Sequence, residues 1–209
     1  MSTDPHSQID PYDYFEAMES GTKAEQMFHK ARVRLVVAAA AASGKRVLDV
    51  GAGAGGLAIP LAEAGADVVA VELSAEHCVT LASRAEERGL SIAAIQASAA
   101  ALPFPDDAFD VVVVASVVHL VPHPGPMLRE AERVCRPDGR IVVAGPWKLH
   151  PKSMTWVKTL LRGAPPETKT YPFDRKRVAR MLVRSSFVGR RIDYPMGYLA
   201  TTWVPSGKE

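Results

Sequence analysis

A short apolar strand that breaks into four glycines within six residues, then resumes as a helix, leaves few folds open to the chain carrying it. Val47 to Val50 is that strand. Gly51, Gly53, Gly55 and Gly56 are the break, and Leu57, Ile59, Leu61 and Ala62 are apolar positions of the following helix, which stops before Gly65. Glycine permits φ > 0 in a tight turn and, lacking Cβ, lets a ligand lie against the backbone. The helix N-terminus behind the turn presents unpaired N–H groups that favour a negatively charged ligand group. The pattern is a cofactor-binding βα turn.

The flanking sequence repeats strand and helix in alternation. Residues 1–11 read as a polar leader, Tyr12–Met18 as a short aromatic helix, and Thr22-x-x-Glu25 as a capping box opening a helix to Ala42. Strands are expected at Arg46–Val50, Asp67–Val71, Ser91–Ile95, Asp110–Ala115 and Arg140–Ala144. Between them Ser74 caps a helix to Arg88, stopped by Gly89, and Pro126 opens one reaching Cys135. The strand Asp110–Ala115 is continuously apolar, which implies burial on both faces and a parallel sheet under helices. Ser153–Arg162 and Asp174–Ser186 read as further helices, and Val188–Tyr194 with Tyr198–Trp203 as a hairpin. The alternation predicts one doubly wound α/β domain over residues 1–209 with right-handed crossovers.

Gly51-x-Gly53-x-x-Gly56, with Glu72 ending the next strand, fits the dinucleotide fingerprint but does not by itself separate NAD from other nucleoside cofactors. Asp49 argues against NAD, because a pyrophosphate gains nothing from an acid two residues before the first glycine. With Leu102-Pro-Phe-Pro-Asp-Asp-Ala-Phe-Asp110 and Arg136-Pro-Asp-Gly-Arg140, the segment Lys45–Gly145 resembles the class I S-adenosylmethionine-dependent methyltransferases. The similarity is greatest to the ubiquinone/menaquinone methyltransferase-like group, methyltransferase type 11. It implies a Rossmann-like, seven-stranded, mostly parallel sheet whose C-terminal strand is antiparallel. It also implies S-adenosyl-L-methionine as cofactor and S-adenosyl-L-homocysteine as product. Four parts follow: a leader and helix over the cleft (1–44), a cofactor core (45–145), a lid or substrate region (146–187) and a closing hairpin (188–209).

Ligands of such sheets lie across the carboxyl ends of the strands. By the resemblance, Asp49 and the loop Gly51, Ala52 and Gly53 hold the methionine end of the cofactor. Glu72 accepts the ribose hydroxyls, Leu73 packs on the adenine, and Ala115 and Ser116 line the cleft after the fourth strand. Ser98 stands where the family usually has an acid that accepts from the adenine amino group. A hydroxyl does so more weakly, by about 1 kcal/mol, while the Ala99 N–H still serves the ring. Arg32 either meets the cofactor carboxylate or is a solvated helix arginine, the second being the safer reading. Tyr12, Tyr14 and Phe15 either shape the acceptor pocket or anchor the leader. Trp147 is either a pocket wall or core. His119, in Ser116-Val-Val-His-Leu-Val121, is either a general base beside the methyl position or a packing residue.

Charge is unevenly placed. Residues 1–147 carry 12 Lys/Arg against 19 Asp/Glu, whereas residues 148–191 carry 12 Lys/Arg against Glu167 and Asp174 alone. Lys148, Lys152, Arg162, Lys169, Arg175, Lys176 and Arg177 either attract an anionic small molecule, a lipid headgroup or RNA, or, as for Arg175, Lys176, Arg180 and Arg184, form a solvated helix face. No base-flipping motif is present, which disfavours nucleic acid. Cys78 and Cys135 form no framework and no metal-ligand spacing, so no metal is expected. The first twenty residues hold five acids and no apolar run, and the longest apolar stretches fall short of a membrane span. The expectation is a cytoplasmic, monomeric or homodimeric enzyme for a small, anionic acceptor. A lipid, quinone or RNA acceptor, a non-catalytic cofactor-binding relative and an NAD-dependent oxidoreductase are the competing readings.

Overall fold

The computed structural model describes residues 13–146, 175–193 and 198–205. Trp147, His150, the expected helix Ser153–Arg162, the lysines of the lid up to Lys169, and Tyr12 lie outside them. Seven strands form a single sheet: β1 (Arg46–Val50), β2 (Asp67–Glu72), β3 (Ile92–Gln96), β4 (Phe109–Ala115), β5 (Cys135–Pro146), β6 (Ser185–Asp193) and β7 (Tyr198–Pro205). Their order is β3-β2-β1-β4-β5-β7-β6. β1 to β5 pair in parallel, and β7 lies antiparallel between β5 and β6. The doubly wound sheet with an inserted antiparallel last strand is therefore present as expected.

Strand periodicity builds two cores. Leu48, Val50, Val69, Val71, Val112, Val114, Ile141 and Val143 face α5 (Gly125–Val134) through Met127, Leu128, Ala131 and Val134. Their alternate neighbours Val47, Val68, Ala70, Val111, Val113 and Val142 face α2 (Lys23–Ala40) and α3 (Ala58–Glu63) through Val36, Ala39, Ala40, Ala58 and Leu61. β4 is buried on both faces, which its unbroken apolar run requires. α4 (Ala75–Glu86) is capped by Ser74, whose hydroxyl accepts from the His77 amide at 3.2 Å.

Three boundaries differ from expectation. The helix expected over Asp174–Ser186 is only α6 (Arg175–Ala179). The buried Glu132 carboxylate accepts from the Arg184 amide at 2.9 Å and the Ser185 hydroxyl at 2.7 Å. That pull peels the chain off the helix and hands Ser185 and Ser186 to β6. Cys135 caps α5, its amide donating to the Ala131 carbonyl, but β5 already begins there instead of at Arg140: Cys135 pairs with Phe109, and the register then jumps to Val111–Arg140, looping out Arg136–Gly139. A Cβ at Gly139 would lie 2.8 Å from both the Asp110 carbonyl oxygen and the Cys135 sulfur. Gly139→Ala is therefore expected to cost about 2 kcal/mol, read as a lowered urea midpoint with unchanged slope. The third difference is α2, which stops at Ala40 because Ala41 turns left-handed, φ 46°.

The leader helix α1 (Tyr14–Glu19) is capped by Asp13, which accepts from the amides of Phe15 and Glu16. Arg84 on α4 holds that cap through a 2.8 Å ion pair and stacks over the Phe15 ring, 4.6 Å from its centroid. Arg88 stacks on the same ring. Phe15 is buried with Met18 and Ile59.

Candidate cofactor and acceptor site

The cleft opens at the carboxyl ends of β1, β2 and β4. Gly51, Gly53 and Gly55 have φ of 72°, 53° and 99°, so the turn needs the left-handed backbone that glycine supplies, while Gly56 does not. The amides of Gly51 and Ala52 donate to the Val71 carbonyl at 2.8 and 3.1 Å, tying the loop to the end of β2. A Cβ at Gly53 would meet no protein atom, so its side is open.

Glu72 locks this arrangement. Its Oε2 accepts from the Gly53 amide at 2.9 Å, and its Oε1 from the amides of Leu73 and Ser74 at 2.7 and 3.0 Å. A carboxylate offers about four acceptor sites. Three are used, which leaves one acceptor position on Glu72 facing the cleft. Glu72→Ala is expected to weaken cofactor binding about tenfold and to lower Tm by a few degrees, with Glu72→Gln intermediate in both. Calorimetry and thermal melting of the same preparations check this.

Asp49 lines the cleft at 1 % exposure. It accepts from the Ala58 amide, and its Oδ2 has no hydrogen-bond partner among the described residues. Burial pushes its carboxyl up to about 7; the Arg32 guanidinium pulls it down and Glu72 pushes it further up. Arg32, on α2, is 3 % exposed, so it is no solvated helix arginine. It lines the same cleft and donates through Nη1 to the Ser116 hydroxyl at 2.9 Å. Ser116 takes a left-handed backbone, φ 63°, after β4, and its amide donates to Ala144. A non-glycine residue held there is strained, and such strain concentrates at functional sites.

Ala52, Leu73, Ser98, Ala99 and Ala115 also line the cleft. Ser98 accepts from the Ala100 amide at 3.2 Å, forming the turn after β3. Sequence reasoning did not single out Val117, Leu120, Val121 and Met127, which give the cleft an apolar wall, or His77 at the start of α4. The signal for the wall was the unbroken apolar stretch after Ser116. Phe15 is not at the cleft; it anchors the leader, while nothing is described of the Tyr14 side chain. His119 is buried behind the wall, between cleft-lining Val117 and Leu120 in sequence, and is not itself a lining residue. Burial and the Arg32 charge push its imidazole down to about 4, and Nδ1 has no partner among the described residues.

A buried acid with an unused oxygen and a buried guanidinium on one cleft wall complement an amino-acid zwitterion. A pyrophosphate would meet Asp49 as a repulsive charge. The sequence from Leu48 to Val143 matches the family model described as a methyltransferase domain, over residues 48–143. The match spans just under half of the chain.

Over 109 residues the chain is 43% identical to an uncharacterised Mycobacterium tuberculosis protein, covering 52% of this chain and 40% of that one. Over 112 residues it is 42% identical to a demethylmenaquinone methyltransferase of Renibacterium salmoninarum, covering 53% and 46%. The chain spans less than half the length of these curated relatives. Magnesium protoporphyrin IX methyltransferase of Synechocystis, solved with bound S-adenosylhomocysteine, shares the fold at TM-score 0.68 and 20% identity, covering 97% of this chain and 91% of that one. The likeness to that structure is one of fold, the same kind of α/β sheet that β1 to β7 form here.

Proposed function

We propose that this chain is an S-adenosylmethionine-dependent methyltransferase acting on a small molecule by direct in-line displacement. The observation that carries the reading is the Asp49–Arg32 pair beside the glycine loop. Asp49 Oδ2 is the acceptor for the cofactor ammonium, and Arg32 the partner of its carboxylate. Glu72 holds the ribose end, and the backbone after Ser98 the adenine. When bound, the cofactor supplies a sulfonium-activated methyl group, so the protein's task is alignment and exclusion of water. Val117, Leu120, Val121 and Met127 exclude water from the acceptor side. His119, buried and absent from the cleft lining, is read as a packing residue and not as the base.

The acceptor is read as anionic from the charge of residues 148–191. A second reading, a lipid-soluble quinone-type acceptor, is supported by the apolar wall and by the relative named demethylmenaquinone methyltransferase. Titration calorimetry with S-adenosylmethionine, S-adenosylhomocysteine and NAD tests the cofactor. Binding of the first two and not of NAD is expected; binding of NAD alone overturns the reading. Methyl transfer from labelled cofactor to anionic metabolites, compared with reduced quinones, separates the two acceptors.

A further inference from the structure

We infer that the sheet edge formed by β6 and the turn before it is a docking surface for an anionic lipid bilayer. Residues 175–193 contain seven Lys/Arg and a single acid, Asp193, at the end of β6. Lys176, Arg180, Arg184 and Arg190 are exposed along it. Interspersed with them are exposed apolar side chains, Val183 at 72 % and Val188 at 55 %, with Phe187 also at the surface, edge-on to Trp203. Glu132 is the acid that packs against this segment. It is buried, accepts from the Arg184 amide and the Ser185 hydroxyl, and its charge acts on Arg184, which leaves Lys176, Arg180 and Arg190 as the other exposed cations of the surface.

Two features choose the occupant. A basic face attracts any polyanion, but exposed valines gain nothing from phosphates or stacked bases. In the headgroup region of a bilayer the same valines leave water while the arginines meet anionic phosphates. A second copy of this chain would bring the same net positive charge against itself. Among the described residues β6 is also the last strand of the sheet, with β7 on one side of its backbone and no strand on the other. The N–H and C=O groups on that side need water or headgroups, which limits the contact to the interface and excludes the hydrocarbon. Among the described residues no helix is long and apolar enough to cross a membrane.

The proposal deepens the second acceptor reading and rests on it for its purpose, which is to deliver a lipid-soluble acceptor to the cleft. The docking itself requires no cofactor. The test is sedimentation of the full chain with phosphatidylcholine vesicles, with and without phosphatidylglycerol, at low and high salt. Wild type is expected to bind the anionic vesicles, and to be released by salt. Val183→Ser/Val188→Ser, which leaves the charge unchanged, and Arg180→Gln/Arg184→Gln are each expected to weaken binding about tenfold. These side chains are exposed, so folding is retained, and calorimetry with S-adenosylmethionine checks that the cofactor site is intact. Absence of vesicle binding, or valine variants that bind like wild type, overturns the proposal. A basic face that binds an RNA oligonucleotide and no vesicles overturns it in favour of nucleic acid. Vesicle binding without cofactor binding would leave the surface standing and sink the methyltransferase reading; cofactor binding without vesicle binding would do the reverse.

Discussion

Asp49→Asn is expected to make the protein more stable and at the same time to raise the Kd for S-adenosylmethionine about a hundredfold. The carboxyl is held near 7 against an ordinary 3.8, so keeping it ionised in the folded state costs up to ~4 kcal/mol at about 1.4 kcal/mol per unit. An amide keeps an oxygen for the Ala58 amide and removes the charge, so the apo Tm rises by several degrees. Binding moves the other way, because the variant loses a desolvated charge partner, an effect on the order of 2–5 kcal/mol. Since the folded group is raised, the folded state holds its proton over a wider range than the unfolded chain. This group's contribution to stability is fully present below 3.8, declines as pH rises towards about 7, and is flat above that. The gap in Tm between Asp49→Asn and wild type should open over the same window. Cofactor affinity of the wild type should fall on acidification below about 7, and that of the variant should not follow. Melting curves and calorimetry across pH measure both.

Arg133→Met is the second large effect and acts on stability alone. The guanidinium bridges α5 to the loop before β4. It binds Glu130 at 2.7 and 2.8 Å, Asp106 at 3.0 Å, and the carbonyls of Phe104 and Leu102 at 2.8 and 3.1 Å. Glu130 in turn accepts from the Leu102 amide at 2.8 Å. Methionine fills the aliphatic stem and removes the five hydrogen bonds that the guanidinium donates. A loss of about 3 kcal/mol is expected, a Tm lower by roughly 10 °C, with cofactor Kd changed less than threefold. A Tm within two degrees of wild type, on a scale of about 3 °C per kcal/mol, would mean that the loop holds its shape without the arginine.

The cofactor half of the site was legible because its signals are local. Asp49, the glycines and Glu72 fall at fixed places along one βα unit, and β4 announces its burial by composition. Arg32 was not legible. α2 carries apolar residues on several faces, and whether an arginine among them meets water is settled by Ser116, 84 residues away. The truncated helix α6 failed for the same reason, since the Glu132 carboxylate that ends it lies on another helix. Phe15 illustrates the limit of residue type: an aromatic leader reads equally as pocket or anchor until Arg84 and Arg88 are seen stacked on it. Ser98 and Glu72 were found by position, but their occupation by backbone amides depends on the turn geometry around them.

The place of β7 constrains how the chain reaches its native state. β6 has no partner in the sheet except β7, and β5 gains its outer neighbour only from the same strand. During synthesis the parallel core can assemble while β6 waits unpaired, and the most recently made strand must then slot between two older ones. Because β6 and β7 are joined by only a few residues, they are suited to associate first and arrive as a unit, a short-range step that precedes a long-range one. Refolding of this protein should therefore show a late phase sensitive to substitutions in the β5–β7 seam, such as Thr201→Val, whose hydroxyl donates to the Val143 carbonyl at 2.9 Å. A ribosome-tethered chain lacking that strand would expose the edge of β5 that β7 covers and leave β6 without its partner, a protease-sensitive segment.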